Sequence, residues 1–171
     1  RMLDYLSKER IYEEYCKILM SGKPSLGFEF LKEINALPSY IENLIYTMQR
    51  KDYHSEGNVF NHTMLVLDVG ALIKHKTSNP LGFMWACLLH DIGKVSELSA
   101  FPSNDYTDDG QLLGHIYMGT AKVNDAAKEI PGFPAKLLTE VSHCILSHHG
   151  KLEYGSPKKP ALPEAVALHY A

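Results

Sequence analysis

This chain has little of several things that usually announce a function. Its 171 residues hold only three cysteines, Cys16, Cys87 and Cys144, widely spaced within apolar stretches and never arranged as CxxC. Zinc-finger and thioredoxin-type chemistry are thereby excluded. Buried free thiols are expected instead, which suits a reducing cytoplasm. No apolar run approaches the roughly 20 residues of a membrane span, and the opening RMLDYLSKER lacks the form of a signal peptide. No membrane partner is expected. Arg1 is not an initiator residue, so the numbering is expected to start inside a longer chain or after processing. A net charge of -3 gives no general pull toward nucleic acid or anionic lipid. Any RNA contact would need a local basic surface. Internal repeats, low-complexity tracts and the alternation of a half-buried strand are also missing.

What is present is helical periodicity from end to end. The length fits one domain able to bury a core, and the 45% hydrophobic content is ordinary for a globular protein. An all-α fold is expected. Ser7 is a candidate N-cap for a helix with Ile11, Tyr15, Ile18 and Leu19 inward, stopped by Gly22 and Pro24. A second helix after Ser25 is expected to bury Phe30, Leu31 and Ile34, and a third from Ser39 to bury Ile41, Leu44, Ile45 and Met48. A fourth, from Asn58, carries His62, Leu65, Val66, Val69 and Ile73 on one face. Asn79-Pro80 breaks the chain before the apolar run Leu81 to Ile92, read as a helix closed by Gly93 as C-cap, leaving His90 and Asp91 in its last turn. After a polar loop, 101–110, a helix over 111–128 places His115 beside Leu112 and Met118. The helix after Pro134 puts His148 on the stripe of Leu137, Val141, Cys144 and Ile145, with His149 at its edge and Gly150 as the stop. Pro163 opens a last helix that Ala171 leaves uncapped, so the chain is expected to continue. Trp85, Tyr15, Tyr40 and Phe30 fit core stripes, whereas His75, His143 and His169 read as structural or exposed.

His62, His90, Asp91, His115, His148 and His149 therefore converge from separate helices. Burying that many polar groups without partners would cost several kcal/mol, and one shared cation satisfies them together. Imidazole and carboxylate suit divalent Fe, Mn, Ni, Zn or Mg. Six donors exceed what one open catalytic ion needs, so two ions are expected. His62, His90 and Asp91 would hold the first. Asp91 would bridge to a second ion on His115 and either His148 or His149. Lys94, three residues past Asp91, is the candidate charge on a phosphate oxygen or leaving group. His54 and Glu56 precede the His62 helix and either line the mouth, His54 as a substrate contact, or lie on the surface.

His62, the HDIGK segment 90–94, His115 and His148-His149 resemble the HD-domain superfamily of metal-dependent phosphohydrolases, over roughly residues 53–171. The resemblance implies a helical HD bundle over 53–171, with residues 1–52 as a short N-terminal helical extension. GQLLGHI (110–116), SHHGKLEYGSP (147–157) and PALPEAVALHYA (160–171) are similar to bacterial HD-domain 3′–5′ exoribonucleases. In that group an Asp directly after the last segment completes the first motif, one position beyond Ala171. SKERIYEEYCKIL (7–19), KPSLGFEFL (23–31) and HSEGNVFNHTMLVLD (54–68) are similar to bacterial CCA-adding tRNA nucleotidyltransferases that carry an HD domain. The Gly-Ser strand-turn and paired aspartates of their polymerase head do not occur here, so nucleotide addition is not expected. The chain would be the tail half of such an enzyme or a stand-alone relative. The likeness implies phosphatase or 2′,3′-cyclic phosphodiesterase activity on nucleotides or RNA ends, with Asp91 and Lys94 catalytic and tRNA a candidate partner. Two other classes fit the same residues: an RNA-binding module with a structural metal site, and a di-iron oxygenase, against which Lys94 and the tRNA-enzyme-like flank both argue.

Overall fold

The computed structural model describes residues 6–49, 55–99, 103 and 105–171. It contains α1 (Lys8–Met20), α2 (Pro24–Glu33), α3 (Ser39–Tyr46), α4 (Val59–Ile73), α5 (Pro80–Leu89), α6 (Lys94–Glu97), α7 (Asp108–Lys128), α8 (Ala135–Ser147) and α9 (Pro163–His169). Short 3-10 turns span Lys74–Lys76 and Leu152–Tyr154. Among the described residues the extended pairing consists of isolated bridges, Met48 with Asn58 and Leu98 with Tyr106. The fold is all-α, and no described helix is long and apolar enough to cross a membrane.

Local chemistry sets the helix starts. Ser7 accepts from the Arg10 amide at 3.3 Å, Asn58 from Asn61 at 2.8 Å, Asn79 from Gly82 at 3.0 Å and Thr107 from Gly110 at 2.9 Å. Each side chain satisfies an amide that the first helical turn leaves without an internal partner. The Thr107 cap, with Asp108 and Asp109 beside the positive helix end, starts α7 at Asp108 rather than at the expected Gln111. Helix α5 is apolar on nearly every side and buries Phe83, Met84, Ala86, Cys87 and Leu88. It runs through the middle, touching α1, α4, α8 and α9. Glu164 at the start of α9 accepts from the amides of Ser78 and Asn79 at 2.7 and 2.9 Å, which fixes the entrance to α5.

Three expected faces turn out differently. Phe30 and Ile34 are exposed, and Phe28 is the buried aromatic of α2. That helix has apolar residues on two sides, and Asp68 of α4 decides between them by accepting from the amide and hydroxyl of Ser25 at 3.0 and 2.7 Å. On α4, Leu65 and Val69 face solvent, whereas Phe60, Thr63, Met64 and Leu67 are buried, so His62 lies on the shoulder of the packed face. Tyr40 is exposed too. Trp85 stacks on Tyr12 with ring centres 5.9 Å apart, beside a cavity of about 560 Å³ walled by Tyr40, Val123, Leu137 and Val141 among others. Among the described residues no histidine lines that cavity.

Gly93 is not the C-cap expected of it; His90 ends α5. Its backbone is right-handed helical (φ -67°), and the chain continues directly into α6. A side chain there would collide with the His115 carbonyl oxygen and stand 2.7 Å from the Gly119 amide. The glycine is needed for close approach to α7, not for a turn.

Candidate metal centre

Asp91 is 1% exposed, in the helical turn that joins α5 to α6. Imidazoles from four places surround it. Oδ2 lies 3.4 Å from His90 Nε2 and 3.8 Å from His62 Nε2. Oδ1 lies 3.6 Å from His115 Nε2 and 3.5 Å from His148 Nε2. The carboxylate thus presents one oxygen to each of two groups, His62, His90 and Asp91 on one side and His115, His148 and His149 on the other. Within each group the donor atoms lie inside 4.8 Å of one another. The His148 and His149 rings are 4.3 Å apart, so both reach the second group although they are adjacent in the chain.

The far nitrogen of every ring is already engaged. His90 Nδ1 meets the Cys87 carbonyl at 2.8 Å, His148 Nδ1 the Ile145 carbonyl at 2.7 Å and His149 Nδ1 the Tyr154 carbonyl at 2.6 Å. Two carboxylates do the same work, Glu56 at 2.7 Å from His62 Nδ1 and Glu97 at 2.9 Å from His115 Nδ1. Oxygen acceptors at Nδ1 hold the proton there and turn the Nε2 lone pair inward, the arrangement that orients metal-binding imidazoles. The inward atoms Asp91 Oδ1, His115 Nε2 and His148 Nε2 are buried without a hydrogen-bond partner. Acceptors facing acceptors at this depth are strongly unfavourable alone, and a cation answers all of them.

Charge is tuned to match. Burial alone would raise the Asp91 carboxyl, but His90 and Lys94 beside it hold it well below the usual carboxylate range. Burial, only partly offset by Asp91, pushes the His148 imidazole down to about 4. It also lowers His62, helped by His90, and His149, helped by His115. Glu97 is lowered despite its burial, through its hydrogen bond to His115. Asp91 is therefore held as an anion, and burial favours the neutral imidazole at His62, His148 and His149.

Every expected donor among the described residues is in this cluster; His54 lies outside them. Lys94 is also present, its Nζ 2.8 Å from Asp91 Oδ2 and 2.6 Å from Gln49 Oε1, and it is buried rather than solvated. Glu56, which sequence left between mouth and surface, backs His62. Glu97 and Gln49 were missed. An acid three residues after a lysine reads as a surface pair, and the only hint for Glu97 was its place between Val95 and Leu98. His143 and His169 are structural, contacting the Ala161 amide at 2.9 Å and the His148 carbonyl at 3.1 Å.

A family model described as "HD domain" matches residues 59–171. The chain belongs to the HD-domain superfamily of metal-dependent phosphohydrolases. Membership implies a divalent metal cofactor, and the two groups, one of His and Asp and one of His alone, fit one. A second model, "Probable RNA and SrmB- binding site of polymerase A", matches residues 2–45, in keeping with the resemblance to CCA-adding enzymes. Among curated proteins the chain is similar to the 3'-5' exoribonuclease YhaM of Geobacillus sp. (strain WCH70), 47% identical over 73% of this chain and 39% of that protein. The YhaM proteins of Bacillus velezensis and Bacillus subtilis are 49% identical over 48% of this chain and 26% of their own length. The chain thus spans between about a quarter and two fifths of these relatives. No solved structure matches.

Proposed function

We propose that this chain hydrolyses phosphodiester bonds at RNA ends, using two divalent ions. His62, His90 and Asp91 would hold one, and His115, His148 and His149 the other, with Asp91 bridging. The observation that carries this is the set of buried, partnerless atoms, Asp91 Oδ1, His115 Nε2 and His148 Nε2, pointed at one another. Ions bound there supply a water nucleophile at neutral pH and positive charge to the phosphoryl oxygens. The protein's own part is to fix the imidazoles through their Nδ1 partners and to keep Asp91 ionised. Lys94 anchors Asp91 and places a further positive charge beside the reacting phosphate. The exoribonuclease relatives favour RNA chain ends over free nucleotides. Phosphatase and 2′,3′-cyclic phosphodiesterase activity are the nearest rivals within the same chemistry.

The deciding experiment strips the protein of metal and restores Mn, Fe, Ni, Zn or Mg. Turnover is then followed on 5′-labelled RNA, a 2′,3′-cyclic nucleotide and a nucleoside monophosphate. Metal-dependent shortening of the RNA from its 3′ end is expected, with about two ions per chain; His62→Ala should lose one ion and keep the other. Equal turnover by Asp91→Ala would refute the assignment. The match over residues 2–45 favours a second outcome, an RNA-binding module, tRNA included, with a structural metal site. Tight RNA binding with ions bound and no turnover of any ester would select it.

A further inference from the structure

The proposed centre has an uneven rim. His90, Asp91 and His148 are buried, whereas His62, His115 and His149 keep partial exposure, so a substrate reaches the cluster from their side. The segment after His149 is attached to it by the bond from His149 Nδ1 to the Tyr154 carbonyl oxygen. That bond ties the turn carrying Tyr154 to a candidate ligand. The Tyr154 ring itself is 60% exposed, and Lys151 Nζ stands 5.2 Å from its centre. An aromatic ring left in water, with a cation over it, on a turn bonded to a candidate ligand has the composition of a nucleotide subsite. Nucleobases stack on aromatic faces whatever their sequence, and a lysine meets the backbone charge.

We infer that the 151–154 turn is a substrate lip: Tyr154 stacks on a base of the RNA whose phosphate lies at the metal centre, and Lys151 pairs with its backbone. This rests on the phosphohydrolase function proposed above and adds how a nucleic acid would be told from a simple phosphoester. Because the His149 contact uses a backbone carbonyl, side-chain changes at Tyr154 leave it in place.

The test measures binding of a 5′-fluorescein, phosphorothioate-linked hexa-adenylate by anisotropy, beside the same oligomer lacking its two 3′-terminal bases. Metal content is determined for every variant. Tyr154→Ala should weaken binding of the complete oligomer about tenfold, from the usual worth of one base–aromatic stack, and change the abasic one less than about twofold. Tyr154→Phe should bind as the parent does. Lys151→Ala should weaken both oligomers alike and flatten their salt dependence. Should Tyr154→Ala lose ions, Tyr154→Leu supplies the comparison in its place. Equal affinity of parent and Tyr154→Ala for the complete oligomer would overturn the inference, as would equal weakening of both oligomers. Hydrolysis of ordinary RNA is measured in parallel. Tyr154-dependent binding without hydrolysis would retire the proposed function and keep the lip; hydrolysis with Tyr154-independent binding would do the reverse.

Discussion

The two halves of the metal centre are built from similar imidazoles but differ in charge. His62, His90 and Asp91 include the carboxylate, with Lys94 at 2.8 Å from it. His115, His148 and His149 are imidazole only, and the anionic atom turned toward them is the second oxygen of that same Asp91. One acid therefore serves both halves. Each half also has one ring backed by a carboxylate, Glu56 or Glu97, and the others backed by backbone carbonyls. Two ions bound as proposed should be unequal in affinity yet share a single point of failure.

The hardest break comes from that shared acid. Asp91→Ala is expected to empty both halves together and leave less than about a thousandth of the parent rate, by elemental analysis and RNA turnover. Loss of one ion alone would show that Asp91 does not bridge.

Acid should act next, and through the all-imidazole half. His148 has a folded-state pKa near 4, below its ordinary 6.5, so between those values the unfolded chain binds more protons. Stability of the metal-free protein should then rise with pH across that window and level off above it. The gain from His148 is on the order of 3 kcal/mol, with His62 and His149, also lowered, adding in the same direction. Urea melts at fixed pH values check the slope; a flat profile from 4 to 6.5 would contradict the burial assigned to His148.

The smallest effects sharpen the comparison most. Glu97→Gln should weaken metal binding in the His115 half, and Glu56→Gln in the His62 half, each by about 10- to 100-fold. Competition with a chelator, read ion by ion, separates them. If both variants weakened the same ion, the division into halves would be wrong.

The inward donors were legible because chemistry repeats them: histidines at the ends or shoulders of apolar helices have few other uses when several occur together. What supports them was not legible. Glu97 lies on a helix of four residues and meets His115 eighteen positions away, a contact that no periodicity encodes. Gly93 looked like a helix stop because glycine commonly is one, and its use against α7 follows only from the crossing of two elements. The faces of α2 and α4 were ambiguous for a related reason. Both helices are apolar on more than one side, so neighbours rather than their own pattern choose what is buried.

Gly114 interrupts α7 with φ 72° and ψ 157°, a conformation open essentially to glycine alone. The His115 amide that follows is thereby released from the helical ladder and donates to Glu97 Oε1 at 2.9 Å. Its exchange with deuterated solvent accordingly reports on a carboxylate's grip rather than on helix fraying. That single proton is a native gauge of how firmly Glu97 grips the backbone that carries the His115 ring.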